Sequence, residues 1–298
     1  MAKEINMKLT IVTINYNNAE GLRKTLASVA EQTYRNIEHI IVDAASTDGS
    51  VEIIKEYADV SKHTVIWSSK KDKGIYDGMN RGIKKATGDY IQILNSGDIL
   101  AAPDVTERMM NILNSLNVNS LNDKIEVPIL YGNMIRDFGN GKLSKDVCFG
   151  DRVTKSPQAQ EVEWTMDDFI KGTVNHDPTY IHRSLYEKYG LYDENLKICS
   201  DWKWFVNVVV FGGEKLYYVP IDVTIFDTTG ISETNLAFRE QERHAELEKM
   251  LPAAILKDYD RYHFPIEQYK RLKKYHIWGL VYFMERVLFK LEKWKILK

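Results

Sequence analysis

Gly88-Asp89-Tyr90-Ile91-Gln92-Ile93-Leu94-Asn95-Ser96-Gly97-Asp98 is the stretch whose reading decides the fold. A tight turn leads into a short apolar strand that ends abruptly in polar residues and one carboxylate. In an open α/β sheet, ligands bind outside the carboxyl ends of the strands, so Asp98 lies where chemistry is expected. Asn, Ser, Gly and Asp also favour turns for purely local reasons. The surrounding chain has to separate the two readings.

Upstream, Leu9 to Ile14 is a β-rich apolar run that ends in Asn15-Tyr16-Asn17-Asn18. Leu22, Leu26, Val29 and Ala30 then recur at helical spacing. A second run, Ile37 to Val42, closes in Asp43-Ala44-Ala45-Ser46-Thr47-Asp48-Gly49-Ser50. It is followed by a helix through Val51, Ile54 and Tyr57, for which Asp48 or Ser50 is the expected N-cap. Thr64 to Trp67 is a third strand and Ile75 to Ala86 a third helix. Three strand–helix units, with strands apolar on both faces, predict an α/β fold: a mostly parallel central sheet with helices on both faces. The polar strand ends would line one edge, which is a nucleotide-site layout. The first turn, Asn-Tyr-Asn-Asn-Ala-Glu-Gly, is neither a Gly-x-Gly-x-x-Gly dinucleotide turn nor a Gly-Lys-Ser/Thr phosphate loop.

Downstream, Pro103 to Leu116 reads as a helix, Ile129 to Tyr131 as a strand, and residues 137–160 as loops. Glu163 to Ile170 is a short helix and Thr179 to His182 a strand. Ser200-Asp201-Trp202 opens a helix that stops at Gly212-Gly213. Leu216 to Val219 and Val223 to Phe226 are strands, and Leu236 to Met250 is a charged helix. The expected organisation is one domain over 1–240, with a nucleotide half at 7–100 and an acceptor half at 101–240. A helical, basic, amphipathic extension follows at 241–298.

Of the 298 residues, 44% are hydrophobic, enough for a proper core. Residues 270–298 hold nine Lys/Arg against two acids, a net +7. The first 269 residues hold 31 basic and 40 acidic residues, a net −9. An acidic body does not suit nucleic acid, and a basic tail calls for an acidic partner. Cys148 and Cys199 have no disulfide or metal spacing, which fits a reducing compartment. The N-terminus has no signal-peptide core, and no apolar run approaches a membrane span. A cytoplasmic protein is expected, peripheral on the inner face of the cell membrane if the tail binds an anionic lipid surface. Packing of that tail on the body or on a second copy of the chain is the other reading.

Four segments in this order and spacing resemble the GT-A glycosyltransferases of family 2, in particular the bacterial polysaccharide branch of colanic-acid type. They are Thr13-Ile14-Asn15-Tyr16-Asn17; Val42 to Ser50; Asp72-Lys73-Gly74-Ile75-Tyr76-Asp77-Gly78-Met79-Asn80-Arg81-Gly82; and Ala86 to Tyr90 running through to Asp98. Ser200-Asp201-Trp202 falls where such enzymes place a catalytic carboxylate. The resemblance covers about three quarters of the chain. Two departures stand out: Asp43-Ala44 where many relatives carry adjacent acids, and Ser96-Gly97-Asp98 where many carry Ser-Asp-Asp.

The resemblance implies an inverting transferase of hexosyl type. It would move a sugar from a nucleotide-diphospho-sugar, expected to be a UDP-sugar, to a glycan or lipid-linked glycan in cell-surface polysaccharide synthesis. Asp98 would be the one direct protein ligand of a divalent cation, Mn2+ or Mg2+, since phosphates and water fill the remaining positions. Asp201 would be the general base, although an aspartate at a helix start is also an ordinary cap. Donor contacts are expected from Thr13, Asn15, Tyr16, Asp43, Asp72, Lys73, Asn80, Arg81, Ser96 and Gly97. Asp43 would accept from the base and Asp72 from the ribose, with turn or capping duty as the plain alternative. His176 and Trp204 would line the acceptor site; Trp202 is in phase with the core, and Trp204 is out of phase. A catalytically inactive sugar- or nucleotide-binding protein is the alternative from another class, motivated by the thinned acidic motif. A sugar nucleotidyltransferase is a further one, for which the Gly-rich, lysine-bearing first loop is missing.

Overall fold

Strand β1 (Leu9–Asn15), helix α1 (Ala19–Ala30), β2 (Ile37–Asp43), α2 (Ser50–Val60), β3 (Thr64–Ser69), α3 (Ile75–Lys85) and β4 (Tyr90–Ile93) follow one another as the periodicity predicts. The computed structural model describes residues 6–117, 128–139, 142–146, 158–275 and 277–293. The four strands pair in parallel in the order β3-β2-β1-β4. Every residue of β2 is buried, as a strand covered on both faces requires. Leu22, Leu26, Ile41, Ile53, Ile54 and Tyr57 form the layer between α1, α2 and the sheet, each worth about 2 kcal/mol of transfer free energy.

Gly88 permits the entry into β4. A Cβ there would lie 2.6 Å from the Thr10 backbone nitrogen, so the two chain segments could not close with any other residue. The expected N-cap of α2 differs in detail. Gly49, at φ 92°, occupies the capping position. The Asp48 carboxylate instead accepts from Ser50 and from the first backbone N–H of α1, at Ala19 (2.8 Å).

Past β4 the chain adds β5 (Ile99–Leu100), α4 (Val105–Asn117), β6 (Ile129–Asp137), β7 (Leu143–Asp146), β8 (Gln160–Val162), α5 (Met166–Lys171), β9 (Thr179–His182), α6 (Ser184–Tyr189), α7 (Ser200–Phe205) with a π-helical continuation at Val206–Phe211, and β10 (Leu216–Asp227). The sheet continues β4-β9-β6-β10-β5, with β7 on β6 and β8 on β10. Among the described residues beyond β4 only the β6–β10 pair is parallel, so the sheet is mixed, with its first four strands all parallel. Leu9, Ile11, Tyr90, Leu94, Met109, Leu113, Leu130, Tyr180 and Val219 bind both halves into one core.

Within the expected loop at 137–160 the structure has β7, which pairs antiparallel with β6; residues 147–157 lie outside the described residues. The two strands expected between 216 and 226 are one, β10, whose register shifts between Tyr218 and Asp222 around Pro220. Helices α8 (Ile231–Thr234), α9 (Leu236–Met250), α10 (Ala253–Lys274) and α11 (Trp278–Lys293) are the last of the described elements. Met1–Glu242 and Arg243–Lys298 are two compact units.

Candidate active site

The carboxyl ends of β1, β2 and β4 are tied together by side chains. Asn18 caps α1 at Gly21 and donates to the Ser96 carbonyl (3.0 Å). The Asn17 backbone N–H reaches Ser46 Oγ (2.8 Å), and Asn17 Oδ1 accepts from Thr47 (2.9 Å). Asn17 at φ 48° and Ala45 at φ 61° hold left-handed backbone without being glycine. Conformations that cost on the order of 1 kcal/mol or more collect at functional edges, and both lie on this one.

Several expected donor contacts are engaged elsewhere. Thr13 is fully buried, with its hydroxyl 2.9 Å from His39 Nε2, so its side chain faces β2 and not the edge. Asp43 is also fully buried and accepts four hydrogen bonds, from Asn15 Nδ2, Ser46 N, Ser46 Oγ and Ser69 Oγ. Burial would raise its pKa, but these donors hold it below the ordinary carboxylate value. Asn80 is 1% exposed and its amide is occupied by Tyr192 N, Tyr192 O and Glu194, which makes it a strut for the 190–198 loop. Arg81 grips both Asp77 oxygens and the Lys70 and Lys71 carbonyls, fixing the exit of β3.

Other positions are not occupied in this way. Tyr16 is 68% exposed. Asn15 Oδ1 has no hydrogen-bond partner. Asp72 is half-buried, which lifts its pKa, and accepts from Gly74 N; Lys73 is exposed. Ser96 and Gly97 form the turn. Gly97 has φ 110°, donates to Thr25 Oγ1 (3.0 Å), and a Cβ on it would sit 3.1 Å from Asp227 Oδ2.

Asp98 is 3% exposed, and its Oδ1 accepts from Asp227 N at 2.9 Å. Burial pushes its pKa well above the usual range, and the adjacent Asp177 carboxyl adds to the rise. Asp177 begins a file of polar side chains. His176 Nε2 lies 3.3 Å from Asp177 Oδ1 and 3.1 Å from the Asn95 amide nitrogen. His176 Nδ1 lies 3.0 Å from Asp201 Oδ2, and Tyr76 Oη lies 2.9 Å from Asp201 Oδ1. Burial lowers the His176 pKa, yet Asp177 and Asp201 outweigh it and lift it to about 9. The ring is then an imidazolium that donates at both nitrogens. Turning the Asn95 amide over would give its unpartnered oxygen the Nε2–H. Burial would raise Asp201, but the His176 hydrogen bond and charge, with Tyr76, keep it low and ionised.

Tyr76 and Asp177 are the members of this file that sequence reasoning missed. Tyr76 stands in a quoted motif, one helical turn ahead of Asn80, so its inward direction was available from spacing alone. Asp177 follows His176 directly, but only the pairing of β4 with β9 brings it to Asp98. Trp204 is corrected outright. It is 3% exposed, its ring stacks on Tyr186 at 4.7 Å, and its indole N–H donates to the Gly190 carbonyl. The helix is covered on both sides, so both Trp202 and Trp204 are core.

A divalent cation fits these residues on one observation. The Asp98 and Asp177 carboxyls face each other, and Asp177 Oδ1 receives no hydrogen bond. Among the described residues no three His, Cys, Asp or Glu side chains converge to hold a metal by themselves. One or two carboxylates suffice for an ion that is completed by phosphate oxygens.

Residues 10–127 match the model of the family described as "Glycosyl transferase family 2". An uncharacterized glycosyltransferase of Mycobacterium tuberculosis is 29% identical over 254 residues, covering 82% of this chain and 85% of the relative. A second, from Rickettsia typhi, is 28% identical over 244 residues, covering 80% and 70%. Among solved structures, TarS of S. aureus in complex with UDP superposes with TM-score 0.59 at 17% identity, covering 87% of this chain and 72% of that one. A mannosyltransferase from Pyrobaculum calidifontis in complex with GDP-Man and Mn2+ does so with TM-score 0.52 at 16% identity, covering 74% and 56%. The chain is thus a glycosyltransferase on a GT-A fold, similar over residues 10–127 to glycosyl transferase family 2.

Proposed function

We propose that the chain transfers a sugar, with inversion, from a nucleotide-diphospho-sugar to a hydroxyl of a glycan or lipid-linked glycan. The observation that carries this is the file Tyr76–Asp201–His176–Asp177–Asp98, which sets an ionised carboxylate and a cation-type carboxyl at one strand edge. The UDP on TarS and the GDP-Man on the archaeal neighbour support a nucleotide-sugar donor.

In this reading the acceptor oxygen bonds to the anomeric carbon as the bond to the diphosphate breaks on the opposite face, and Asp201 takes the hydroxyl proton. Tyr76 Oη lies against Asp201 Oδ1 and His176 Nδ1 against Oδ2, with the Trp202 backbone N–H a further donor, and the anion so held is the base for that proton. Tyr76 and His176 hold the carboxylate in place and balance its charge. A divalent cation at Asp98 would neutralise charge on the departing diphosphate. Tyr16, Asp72 and Lys73 remain the donor contacts reachable at the edge, Asn15 keeps a buried Oδ1 without a partner, and Asp43 acts through Asn15 and Ser46. Asp177 beside Asp98 weakens the motive for an inactive binding protein, since the motif's missing acid has a substitute nearby.

The second unit supports a membrane-linked acceptor. In α11 Leu280, Phe283, Met284, Val287 and Leu288 are all exposed, and Lys270, Arg271, Lys273 and Lys274 precede them. No helix among the described residues is long and apolar enough to cross a membrane. A basic cluster leading into an apolar helix suits the interface of an anionic bilayer on the cytoplasmic side. Sedimentation with anionic vesicles at low salt should carry the protein down; self-association with no vesicle binding would favour a second copy of the chain instead.

The test of the activity is release of nucleoside diphosphate from UDP-, GDP- and dTDP-sugars, with and without Mn2+ and with candidate glycan acceptors. Asp201→Asn should abolish acceptor-dependent release while nucleotide binding survives. Full transfer by that variant would remove Asp201 from the chemistry.

A further inference from the structure

Position 97 is ill suited to the second acid that the resemblance leads one to expect there. Its backbone is at φ 110°, where any side chain is strained, and a Cβ would meet the Asp227 carboxylate. A carboxylate nevertheless reaches Asp98 from elsewhere in the fold. Strand β9 lies antiparallel beside β4, with Ile181 opposite Ile91, so the segment leading into β9 passes the polar end of β4. Gln92 Nε2 donates to the Asp177 carbonyl (2.7 Å) and Gly132 N–H to the Pro178 carbonyl (3.1 Å), which fix that segment's backbone.

Asp177 is 2% exposed. Its Oδ1 has no hydrogen-bond partner, and His176 Nε2 at 3.3 Å does not meet hydrogen-bond geometry. The His176 imidazolium offsets part of its charge across that gap, but a buried carboxylate oxygen without a hydrogen-bond donor is still costly, more so against a second buried carboxyl. Two arrangements would relieve the pair: one shared proton, or a cation bridging both groups. The second suits the edge where the diphosphate would lie. A hard divalent ion takes one or two carboxylates and fills its remaining positions with phosphate and water.

We propose that Asp177 is the second protein carboxylate of the cation site, acting with Asp98 in place of the acid absent at position 97. The proposal deepens the donor reading above and rests on it for the phosphate oxygens.

The full chain should be titrated with Mn2+, with and without UDP, GDP or dTDP, following free Mn2+ by its paramagnetic resonance signal. Wild type, Asp98→Asn, Asp177→Asn and the surface control Glu52→Gln should be compared, and the melting temperature of each recorded. Asp177→Asn and Asp98→Asn should each weaken Mn2+ binding about tenfold or more, with Glu52→Gln unchanged. Without metal, Asp177→Asn should melt no lower than wild type, because it relieves the facing carboxyls; a purely structural aspartate would lower the melting temperature.

Wild-type Mn2+ affinity in Asp177→Asn, alongside a loss in Asp98→Asn, would overturn the proposal. So would the absence of Mn2+ binding in every protein, which would leave a shared proton. If no nucleotide shifts the melting temperature but Mn2+ alone still depends on both aspartates, the donor reading falls and this one stands.

Discussion

Cys199 and Glu242 are joined twice: Glu242 Oε2 accepts the Cys199 backbone N–H at 3.0 Å and lies 3.0 Å from its thiol sulfur. The same carboxylate takes the N–H groups of Lys197 (2.7 Å) and Ile198 (2.8 Å). Three successive amides thus close on one anion, and the segment they belong to leads straight into Asp201. The Ile198 carbonyl lies 2.5 Å from Tyr76 Oη and shares that hydroxyl's single proton with Asp201 Oδ1. Burial would raise the Glu242 pKa, but the thiol and the three amides hold it below its ordinary value.

Glu242→Ala leaves those amides without their acceptor. It should destabilise the protein by about 1–2 kcal/mol and lower kcat more than it raises the donor KM. Urea melts and initial-rate kinetics measure both. Unchanged kcat with lowered stability would make Glu242 a brace with no bearing on Asp201.

Tyr76→Phe removes the hydroxyl on Asp201 Oδ1 while keeping the ring. The expected outcome is a fall in kcat of about tenfold, equivalent to roughly 1.4 kcal/mol of barrier, with donor affinity near wild type. Steady-state kinetics against donor and acceptor separate the two. A rise in donor KM at constant kcat would place Tyr76 in donor binding.

Trp204 tests the correction to its expected role. Trp204→Ala should cost about 3–5 kcal/mol, as for other large buried aromatics. Trp204→Phe should be milder and leave the acceptor KM near wild type, because the ring faces Tyr186 and not the edge. An acceptor KM that climbs in the Phe variant at unchanged stability would return Trp204 to the acceptor site.

His39 sets a pH dependence of stability. It is fully buried between Thr13 and Tyr57, and burial, with nearby His63 adding, pushes its pKa down to about 3. Between its ordinary value near 6.5 and that low one, the unfolded chain binds a proton that the folded chain refuses. Stability is therefore complete above pH 6.5 and falls as the pH drops, by about 1.4 kcal/mol per unit from this group. Denaturant melts at pH 6.5, 6.0, 5.5 and 5.0 should show a slope flattened by one proton in His39→Gln. Parallel slopes for wild type and variant would mean that His39 is already protonated in the fold.

The parallel half was legible because each strand is a short β-branched run and each polar end breaks the pattern sharply. Asp98 and Asp201 were legible as positions, since a strand end and a helix start are local features. What could not be read was which groups meet. Asp177 reaches Asp98 only through the antiparallel insertion of β9, and Glu242 reaches Cys199 from a helix that periodicity describes merely as charged. Thr13, Asn80 and Arg81 lie inside motif segments, but Thr13 and Asn80 point into the body and Arg81 is taken up by Asp77 and the Lys70 and Lys71 carbonyls, and a motif does not say which of its members face the ligand. Trp204 was misplaced by treating its helix as amphipathic when it is enclosed on both sides.

The position of β9 also orders events in synthesis. β1 to β4, with Asp98 at their edge, leave the ribosome well before His176, Asp177 and Asp201 are made. The first half of the sheet can therefore settle early as a scaffold with no chemistry in it. Only when the later strand slots in beside β4 does that scaffold acquire its charged file, so a prematurely terminated chain would be folded in part and inert.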